Sequence, residues 1–263
     1  MTDPVRIWHH GLVARWWAEF NEGGEDVDYF REAILRSGEP ALDAGCGTGR
    51  LLLHFLRQGM DVDGSDASPD MLEWCRSKAE SEGLAVNLYP QAMHQLDLPR
   101  RYRSIVVCGA FGLGGTREDD LEGLRRMHAH LEPGGRLIMD HHVPNRNTQE
   151  AEAVAQGDST QDWPAEGDRR RAADGTELEL RIRLSGFNRE TQTATREICV
   201  RQFVEKKEVA SETYAIDLCV YSAGAIESLL GSAGFSEVRI TGGLEDRPRR
   251  RGEDELIVFH ATA

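Results

Sequence analysis

Short apolar runs alternate with longer amphipathic stretches between about residues 40 and 140 of the chain. The run at residues 105–108 is apolar throughout, which is typical of a strand buried on both faces of a parallel sheet. The stretch at residues 50–58 instead places its leucines and Phe55 on one face of a helix. Regular alternation of this kind predicts a parallel sheet with helices on both faces. The predicted strands cover residues 40–43, 60–66, 86–89, 105–108 and 136–140, and the predicted helices cover residues 50–58, 69–82 and 121–131.

The pattern changes after residue 145. Residues 145–176 are polar and have little periodicity, so they predict a mobile loop with at most one short helix. Three later stretches alternate strictly between apolar and polar side chains, which predicts a three-stranded antiparallel meander with one face in water. These stretches cover residues 178–184, 197–201 and 214–220. The α/β pattern then resumes with a predicted helix at residues 225–233 and predicted strands at residues 238–240 and 255–260.

Charge and cysteine content exclude several classes of function. The formal net charge of −14 over 263 residues argues against binding of nucleic acid, because phosphates require a basic surface. No apolar run approaches about 18 residues, the length that a membrane-spanning helix needs. The five cysteines are scattered without CxxC spacing, which predicts neither a disulfide framework nor a zinc site. The composition therefore predicts a cytoplasmic protein without a nucleic-acid, membrane or metal partner.

A glycine-rich segment at residues 43–49 lies between a predicted strand and a predicted helix. Its glycines, Gly45, Gly47 and Gly49, permit a tight turn and a close approach of backbone to ligand. The helix that follows presents unpaired N–H groups at its N-terminus. Asp66 ends the next strand, about 20 residues after the first glycine, where a carboxylate accepts hydrogen bonds from ribose hydroxyls. These features predict a nucleoside-type cofactor at the carboxyl ends of the strands.

The spacing of the segment separates two classes of cofactor. A dinucleotide-binding loop has the spacing G-x-G-x-x-G, and here Arg50 occupies its last glycine position. Asp43 precedes the first glycine by two positions, where an acid suits a cationic amino-acid group and disfavours a pyrophosphate. The alternative interpretation is a tight structural turn beside a solvated acid.

Four segments of the chain resemble the class I S-adenosylmethionine-dependent methyltransferases. Residues 41–50, Ala-Leu-Asp-Ala-Gly-Cys-Gly-Thr-Gly-Arg, closely match the first motif of that family. The other three resemble its second-strand segment, the entry to its fifth strand and the start of its terminal hairpin. They cover residues 64–72, 130–137 and 233–235. The resemblance extends from about residue 25 to the end of the chain and implies S-adenosylmethionine as the cofactor.

The same resemblance implies an α/β fold, a doubly wound Rossmann-like sheet of seven strands in the order 3-2-1-4-5-7-6 with strand 7 antiparallel. The inserted meander is similar to that of glycine N-methyltransferase and the amino-sugar N-methyltransferases, where it roofs the substrate site or builds a dimer. A homodimer through the meander is therefore one expected assembly. The implied domains are lid helices at residues 1–40, a cofactor-binding core at 41–145 and 222–263, and the loop with the roofing insertion at 146–221.

The motifs of the family carry over to particular residues of a cofactor site. Asp43 and Asp66 would hold the amino-acid and ribose ends, and Trp17 would attract the sulfonium by a cation–π contact, although it equally suits helix packing. The family commonly has Gly-Asp-Met after the third strand. This chain has Gln-Ala-Met at residues 91–93, so Met93 and backbone groups would hold the adenine. The expected cofactor residues are Asp43, Gly45, Gly47, Gly49, Asp66, Ala67, Met71, Ala92, Met93, Cys108 and Trp17.

Two adjacent histidines follow the fifth strand, at the sheet edge where doubly wound folds bind ligands. His141 or His142 is the candidate general base, and only one of the two side chains is expected to face the pocket. The alternatives are loop packing and a structural hydrogen bond, and aligned amine methylation needs no base. Phe111 is expected to line the methyl-transfer point, and Tyr221 is expected to donate its hydroxyl to the substrate.

The sequence thus predicts methyl transfer to a nitrogen, or with less support an oxygen, of a small molecule. The two rival hypotheses are a non-catalytic regulator that binds S-adenosylmethionine and a nicotinamide-dependent oxidoreductase. Two arginine-rich runs, at residues 169–171 and 247–251, predict solvated loops. Their alternative role is recognition of a phosphate or carboxylate on the substrate.

Overall fold

The computed structural model describes residues 9–143 and 160–263. Residues 1–8 of the expected lid and residues 146–159 of the expected loop lie outside this part of the chain. The helices are α1 (Gly11–Phe20), α2 (Glu25–Ser37), α3 (Arg50–Arg57), α4 (Pro69–Ser81), α5 (Arg117–His130) and α6 (Ala223–Ser232). The strands are β1 (Ala41–Ala44), β2 (Val62–Ser65), β3 (Leu88–Tyr89), β4 (Tyr102–Val107), β5 (Leu131–His142), β6 (Asp168–Arg171), β7 (Glu177–Asn188), β8 (Thr193–Val204), β9 (Lys207–Cys219), β10 (Ser236–Gly242) and β11 (Leu256–Thr262). None of the described helices is both long and apolar enough to span a membrane.

The main sheet has seven strands in the order β10-β11-β5-β4-β1-β2-β3. Strands β1 to β5 run parallel, and β11 is antiparallel to both of its neighbours. An apolar cluster covers each face. One contains Leu124 of α5 and Leu230 of α6, and the other contains Phe30 of α2 and Phe55 of α3. The predicted doubly wound sheet, with its antiparallel seventh strand between the fifth and the sixth, is confirmed.

A second sheet has four antiparallel strands in the order β6-β7-β8-β9, so the prediction of three strands was wrong. The additional strand, β6, lies within the residues expected to form a loop and contains the first arginine-rich run. Its four residues are all exposed. They are held by backbone pairing with β7 and by ion pairs, such as Arg169 with Glu177 at 2.8 Å. An edge strand that buries no side chain carries no hydrophobic period, which is why the sequence pattern did not reveal it.

The second sheet lies over the carboxyl ends of the main sheet and is fastened there in two ways. The first is apolar, because Val13 and Trp16 of α1 pack against Ile198 and Ile216 on the underside of the sheet. The second is a pair of backbone hydrogen bonds between the loop after β4 and β9. Gly114 N donates to the carbonyl of Asp217 at 2.8 Å, and Cys219 N donates to the carbonyl of Gly112 at 2.9 Å. The sheet therefore forms a roof whose position is fixed by that loop.

Candidate active site

Three adjoining cavities open where β1, β4 and β5 end, which is the edge at which doubly wound sheets bind ligands. The glycine-loop cavity, about 110 Å³, lies against the segment between β1 and α3. The Met93 cavity, about 100 Å³, lies against residues 91–94. The roofed cavity, about 430 Å³, lies between the end of β5 and strands β8 and β9. Ala110 and Leu113 line all three, so the loop after β4 is their meeting point.

The glycines of the loop are required by backbone conformation and by space. Gly45 has a φ of 83° and Gly47 a φ of 53°, both in the left-handed region that side chains disfavour. A Cβ at Gly45 would lie 2.6 Å from Cβ of Ala110, and one at Gly47 would lie 3.3 Å from Cε of Met71. Both glycines line the glycine-loop cavity, as predicted for residues that bring backbone against a ligand.

Gly49 differs from the other two glycines. It lines none of the three cavities, and a Cβ there would lie 2.6 Å from Sγ of Cys75 and 2.8 Å from Cγ of Leu53. Its φ of 86° precedes the first residue of α3. Gly49 therefore lets α3 begin sharply and pack against α4, and the three cavities give no support to its expected contact with the cofactor.

Asp66 closes the loop from the end of β2. Its Oδ2 accepts from the backbone N–H of Gly47 and its Oδ1 from that of Ser68, both at 2.8 Å. Each carboxylate oxygen can accept a further hydrogen bond, so the pair of oxygens stays available to ligand hydroxyls. Burial raises the pKa of this carboxyl group. Asp66 lines both the glycine-loop cavity and the Met93 cavity, a position from which it could accept hydrogen bonds from the ribose of a nucleoside.

Asp43 supplies the least satisfied polar atom of the site. Its side chain is 2% exposed, and its Oδ2 has no hydrogen-bond partner among residues 9–143 and 160–263. Burial raises the pKa of the carboxyl group to about 7. An unpaired buried carboxylate oxygen costs free energy, and a cationic or hydrogen-bonding group in the adjoining cavity would recover it. The chemistry at this position therefore fits the cationic end of a ligand.

The remaining predicted cofactor residues divide between the first two cavities. The glycine-loop cavity is lined by Trp17, Met71 and Cys108. The Met93 cavity is lined by Ala67, Ala92 and Met93. The rings of Trp17 and His9 are nearly perpendicular, with centroids 5.4 Å apart. His9 itself lines both cavities.

Arg50, at the position where a dinucleotide loop has glycine, is held by the helix that precedes the core. Its Nη1 and Nη2 donate to the two carboxylate oxygens of Asp26 in α2, at 2.7 and 2.6 Å. Arg50 lines the glycine-loop cavity, and this bidentate pair lowers the pKa of Asp26 against the opposing effect of burial. Cys108 Sγ donates to Asp26 Oδ2 at 3.3 Å. The ion pair thus connects α2, α3 and the end of β4.

His141 and His142 both border the roofed cavity, and the expectation that only one of the two side chains faces it stays a prediction. Nε2 of His141 lies 3.2 Å from the carbonyl oxygen of Tyr221. Because a carbonyl only accepts, Nε2 carries the proton and Nδ1 is the accepting atom of the ring. Burial lowers the pKa of His141 to about 4, so its ring is neutral at pH 7. Both histidines come to the cavity because β5 ends there.

Phe111 and Tyr221 also line the roofed cavity, with ring centroids 5.7 Å apart. The hydroxyl of Tyr221 donates to Oδ2 of Asp120 at 2.6 Å, and the Arg117 guanidinium stacks 4.3 Å from the centre of the ring. The hydroxyl that was expected to serve the substrate is therefore engaged within the protein, and this expectation was wrong. The contacts hold Tyr221 as a fixed wall of the cavity.

Two charged residues of the roofed cavity were not predicted. Asp140, in β5, accepts from the backbone N–H of Gly109 at 2.6 Å, and burial raises the pKa of its carboxyl group. Arg196, in β8, lies on the largely apolar underside of the roof. A signal for Arg196 was present in the sequence, because it interrupts the apolar alternation that begins again at Ile198. Among the described residues, no group of three or more His, Cys, Asp and Glu side chains could hold a metal ion.

Comparisons with known proteins agree on one kind of domain. Residues 41–135 match the family described as "Methyltransferase domain". The chain is similar to dTDP-3-amino-3,4,6-trideoxy-alpha-D-glucopyranose N,N-dimethyltransferase of Streptomyces venezuelae, at 30% identity over 127 residues that cover 44% of this chain and 52% of the relative. It is also similar to demethylmenaquinone methyltransferase of Deinococcus radiodurans, at 33% identity over 41% of this chain and 45% of the relative. The chain thus spans about half the length of these curated relatives.

Solved structures match over almost the whole chain but at low identity. An S-adenosylmethionine-dependent methyltransferase from Clostridium acetobutylicum has a TM-score of 0.71 at 16% identity, covering 90% of this chain and 89% of that one. CalS10, an amino pentose methyltransferase from Micromonospora echinaspora solved with S-adenosylmethionine bound, has a TM-score of 0.65 at 18% identity and covers 98% of both chains. These likenesses establish the fold, including the roofing sheet.

Proposed function

We propose that this chain, which has the class I methyltransferase fold and a methyltransferase domain at residues 41–135, transfers a methyl group from S-adenosylmethionine to a nitrogen of a small-molecule acceptor. The observation that carries the proposal is the buried Asp43 carboxylate, whose Oδ2 has no partner in the described residues, beside a loop of left-handed glycines. S-adenosylmethionine, when bound, supplies a methyl group on a positively charged sulfur and an amino-acid end that carries an ammonium group. Both charges suit the acidic, glycine-lined edge.

The residues that line the glycine-loop cavity and the Met93 cavity fit successive parts of this cofactor. Asp43 would accept from the ammonium group, and Asp66 would accept from the ribose hydroxyls with the lone pairs that the backbone leaves available. Met93 would pack against the adenine in the adjoining cavity. Trp17 lines the glycine-loop cavity, where its ring would attract the sulfonium. The partly buried ion pair between Arg50 and Asp26 would keep α2 over this end.

The roofed cavity is the proposed acceptor site, because it shares Gly109, Ala110 and Leu113 with the glycine-loop cavity. Its volume of about 430 Å³ falls in the range of small-molecule pockets, roughly 300–1,000 Å³. Nδ1 of the neutral His141 can accept a hydrogen bond from an N–H group of the molecule that receives the methyl group. Alignment of that nitrogen with the methyl group of the cofactor then supplies most of the acceleration. The carboxyl group of Asp140 is a second candidate to take the amine proton.

Nitrogen is preferred as the methyl-receiving atom because of the names of the proteins that this chain resembles. The Streptomyces venezuelae relative is named as an N,N-dimethyltransferase of an amino sugar, and CalS10 is named as an amino pentose methyltransferase. Neither the family nor the relatives favour the regulator or the oxidoreductase hypothesis. A homodimer through the roofing sheet and a cytoplasmic location stay predictions.

The proposal is tested by following the transfer of a labelled methyl group from S-adenosylmethionine to a panel of small amines, with the matched alcohols as controls. We expect labelled product from at least one amine and none from its alcohol, together with one equivalent of S-adenosylhomocysteine. An Asp66→Ala enzyme should lose transfer, whereas a Glu82→Gln enzyme, altered on the exposed surface, should retain it. Labelling of the alcohols alone would overturn the choice of nitrogen. Binding of the cofactor without any transfer would favour the regulator.

A further inference from the structure

Arg196 lies on the largely apolar underside of the roof. On β8, Ala194, Ile198 and Val200 point to the same face of the sheet as Arg196, and all three are buried with exposures of 1% or less. Placing a guanidinium in such a row removes it from water at a cost in free energy. A charge retained among apolar neighbours is therefore a candidate for ligand recognition.

Arg196 lines the wall of the roofed cavity that β8 and β9 form, and the end of β5 forms another wall with Asp140, His141 and His142. Burial lowers the pKa of Arg196, yet a guanidinium stays protonated at neutral pH. The cavity thus has one wall with a fixed cation and another with a carboxylate and neutral imidazole. An acceptor with an amine at one end and an anionic group at the other matches both walls.

Three other arginines of the roofing sheet do not line the roofed cavity. Arg181, Arg183 and Arg201 lie on its outer face, where their guanidinium groups pair with Glu179 or Glu197 at 2.5 to 2.9 Å. These pairs balance charge on the outer surface and do not approach the roofed cavity. They supply a matched control for the role of Arg196.

The net negative charge of the protein makes a cation inside the roofed cavity more important for binding an anionic molecule. At a net charge of −14 the long-range field repels an anionic acceptor, so its capture depends on charge placed inside the cavity. A guanidinium is the side chain best shaped for this purpose, because its planar fork donates two parallel hydrogen bonds to a carboxylate or a phosphate.

We propose that the methyl acceptor carries a carboxylate or phosphate group and that Arg196 binds this group, holding the acceptor nitrogen towards the end of β5. This inference rests on the proposed function, since it assigns the roofed cavity to the acceptor. Arg196 is then a specificity-determining residue that positions the acceptor and takes no part in the transfer itself.

The experiment uses the full chain saturated with S-adenosylhomocysteine, whose affinity is first measured by calorimetry for every variant. Acetate and inorganic phosphate are then titrated into the complex, with glycerol as a neutral control. We expect one anion to bind saturably to the wild type and about tenfold more weakly to Arg196→Gln. Arg196→Lys should lie between them, and Arg183→Gln should match the wild type. Preference for acetate would assign a carboxylate, and preference for phosphate would assign a phosphate.

Two results are informative in the opposite sense. Equal anion binding by the wild type and both Arg196 variants, or no anion binding by a wild type that binds S-adenosylhomocysteine normally, would overturn this inference and leave the methyltransferase proposal intact. A wild type that is folded and does not bind S-adenosylhomocysteine would overturn the proposed function instead.

Discussion

Replacement of Asp43 by asparagine separates the stability of the protein from its capacity to bind the cofactor. The substitution keeps the shape of the side chain and removes its charge. In the protein without ligand, the carboxylate is buried with one oxygen unpartnered among the described residues. The neutral amide of Asp43→Asn should therefore be better tolerated wherever the carboxylate would be ionised, and it should bind a cationic ligand group less well.

The magnitude follows from the pKa of Asp43, which burial raises from 3.8 to about 7. Because the folded state binds its proton more tightly than the unfolded state, this group stabilises the fold below pH 3.8, and that stability is lost as the pH rises through about 7. Each pKa unit corresponds to about 1.4 kcal/mol, so the total loss is roughly 4 kcal/mol. Between pH 5 and pH 8, the unfolding free energy of Asp43→Asn relative to the wild type should increase by about 3 kcal/mol.

The assay is urea denaturation of the ligand-free wild type and Asp43→Asn at pH 5 and pH 8, followed by calorimetry with S-adenosylmethionine at pH 8. A partnerless amide still costs about 1–3 kcal/mol, so the pH-dependent difference is more informative than either stability alone. Asp61→Asn, an exposed carboxylate at the opposite end of the sheet, is the control and should show little of this dependence. A difference that does not change with pH, or undiminished cofactor binding by Asp43→Asn, would contradict the role of Asp43 as a buried carboxylate that binds the cofactor.

Two further predictions concern the glycine loop and the acid stability of the protein. Gly45→Ala, whose Cβ would lie 2.6 Å from Cβ of Ala110, should weaken cofactor binding at least tenfold, measured by calorimetry. Gly49→Ala, whose Cβ would lie 2.6 Å from Sγ of Cys75, should lose about 2 kcal/mol of unfolding free energy. Its folded fraction should bind the cofactor with an affinity within about threefold of the wild type. Equal losses of cofactor affinity in the two glycine variants would contradict their separate roles. The pKa of His141, lowered to about 4, contributes stability that is present above pH 6.5 and lost as the pH falls through 4, so the wild type should lose up to about 3 kcal/mol more than His141→Gln between pH 7 and pH 4 in urea denaturation. Parallel pH curves for the two proteins would show that His141 is not buried in this way.

The main sheet could be predicted from the sequence because each of its parts leaves a local signal. The run at residues 105–108 is apolar throughout because β4 is covered on both faces by helices. Ser68 accepts from Met71 N at 3.2 Å at the start of α4, where the Ser-Pro pair predicted a helix start. The glycine loop and Asp66 were found for the same reason, since their spacing follows directly from one strand, one turn and the next strand.

What the sequence could not provide depends on contacts between distant segments. Gly45 and Gly49 look equivalent in the sequence, but one lies against Ala110 at the cavity edge and the other against Cys75 in a helix contact. The hydroxyl of Tyr221 was misassigned because its partner, Asp120, is 101 residues away. Strand β6 was missed because pairing with its neighbour, rather than side-chain burial, holds it in place.

The unpredicted residues of the roofed cavity have a related cause. Arg196 interrupts the alternation of apolar and polar residues in β8. In the sequence this interruption indicates only a less regular strand, and the fold is needed to show that this face of β8 lines the roofed cavity. Asp140 lies near the end of β5, directly before the two histidines that were the predicted general bases. Only the position of the roof over the strand ends gives these residues a common site.

The identity of the cofactor is tested by calorimetric titration of S-adenosylmethionine into the ligand-free protein, with NAD as the competing cofactor. We expect saturable binding of S-adenosylmethionine with one site per chain, loss of that binding in Asp66→Ala, and no measurable binding of NAD. Saturable binding of NAD by folded protein that does not take up S-adenosylmethionine would contradict this expectation.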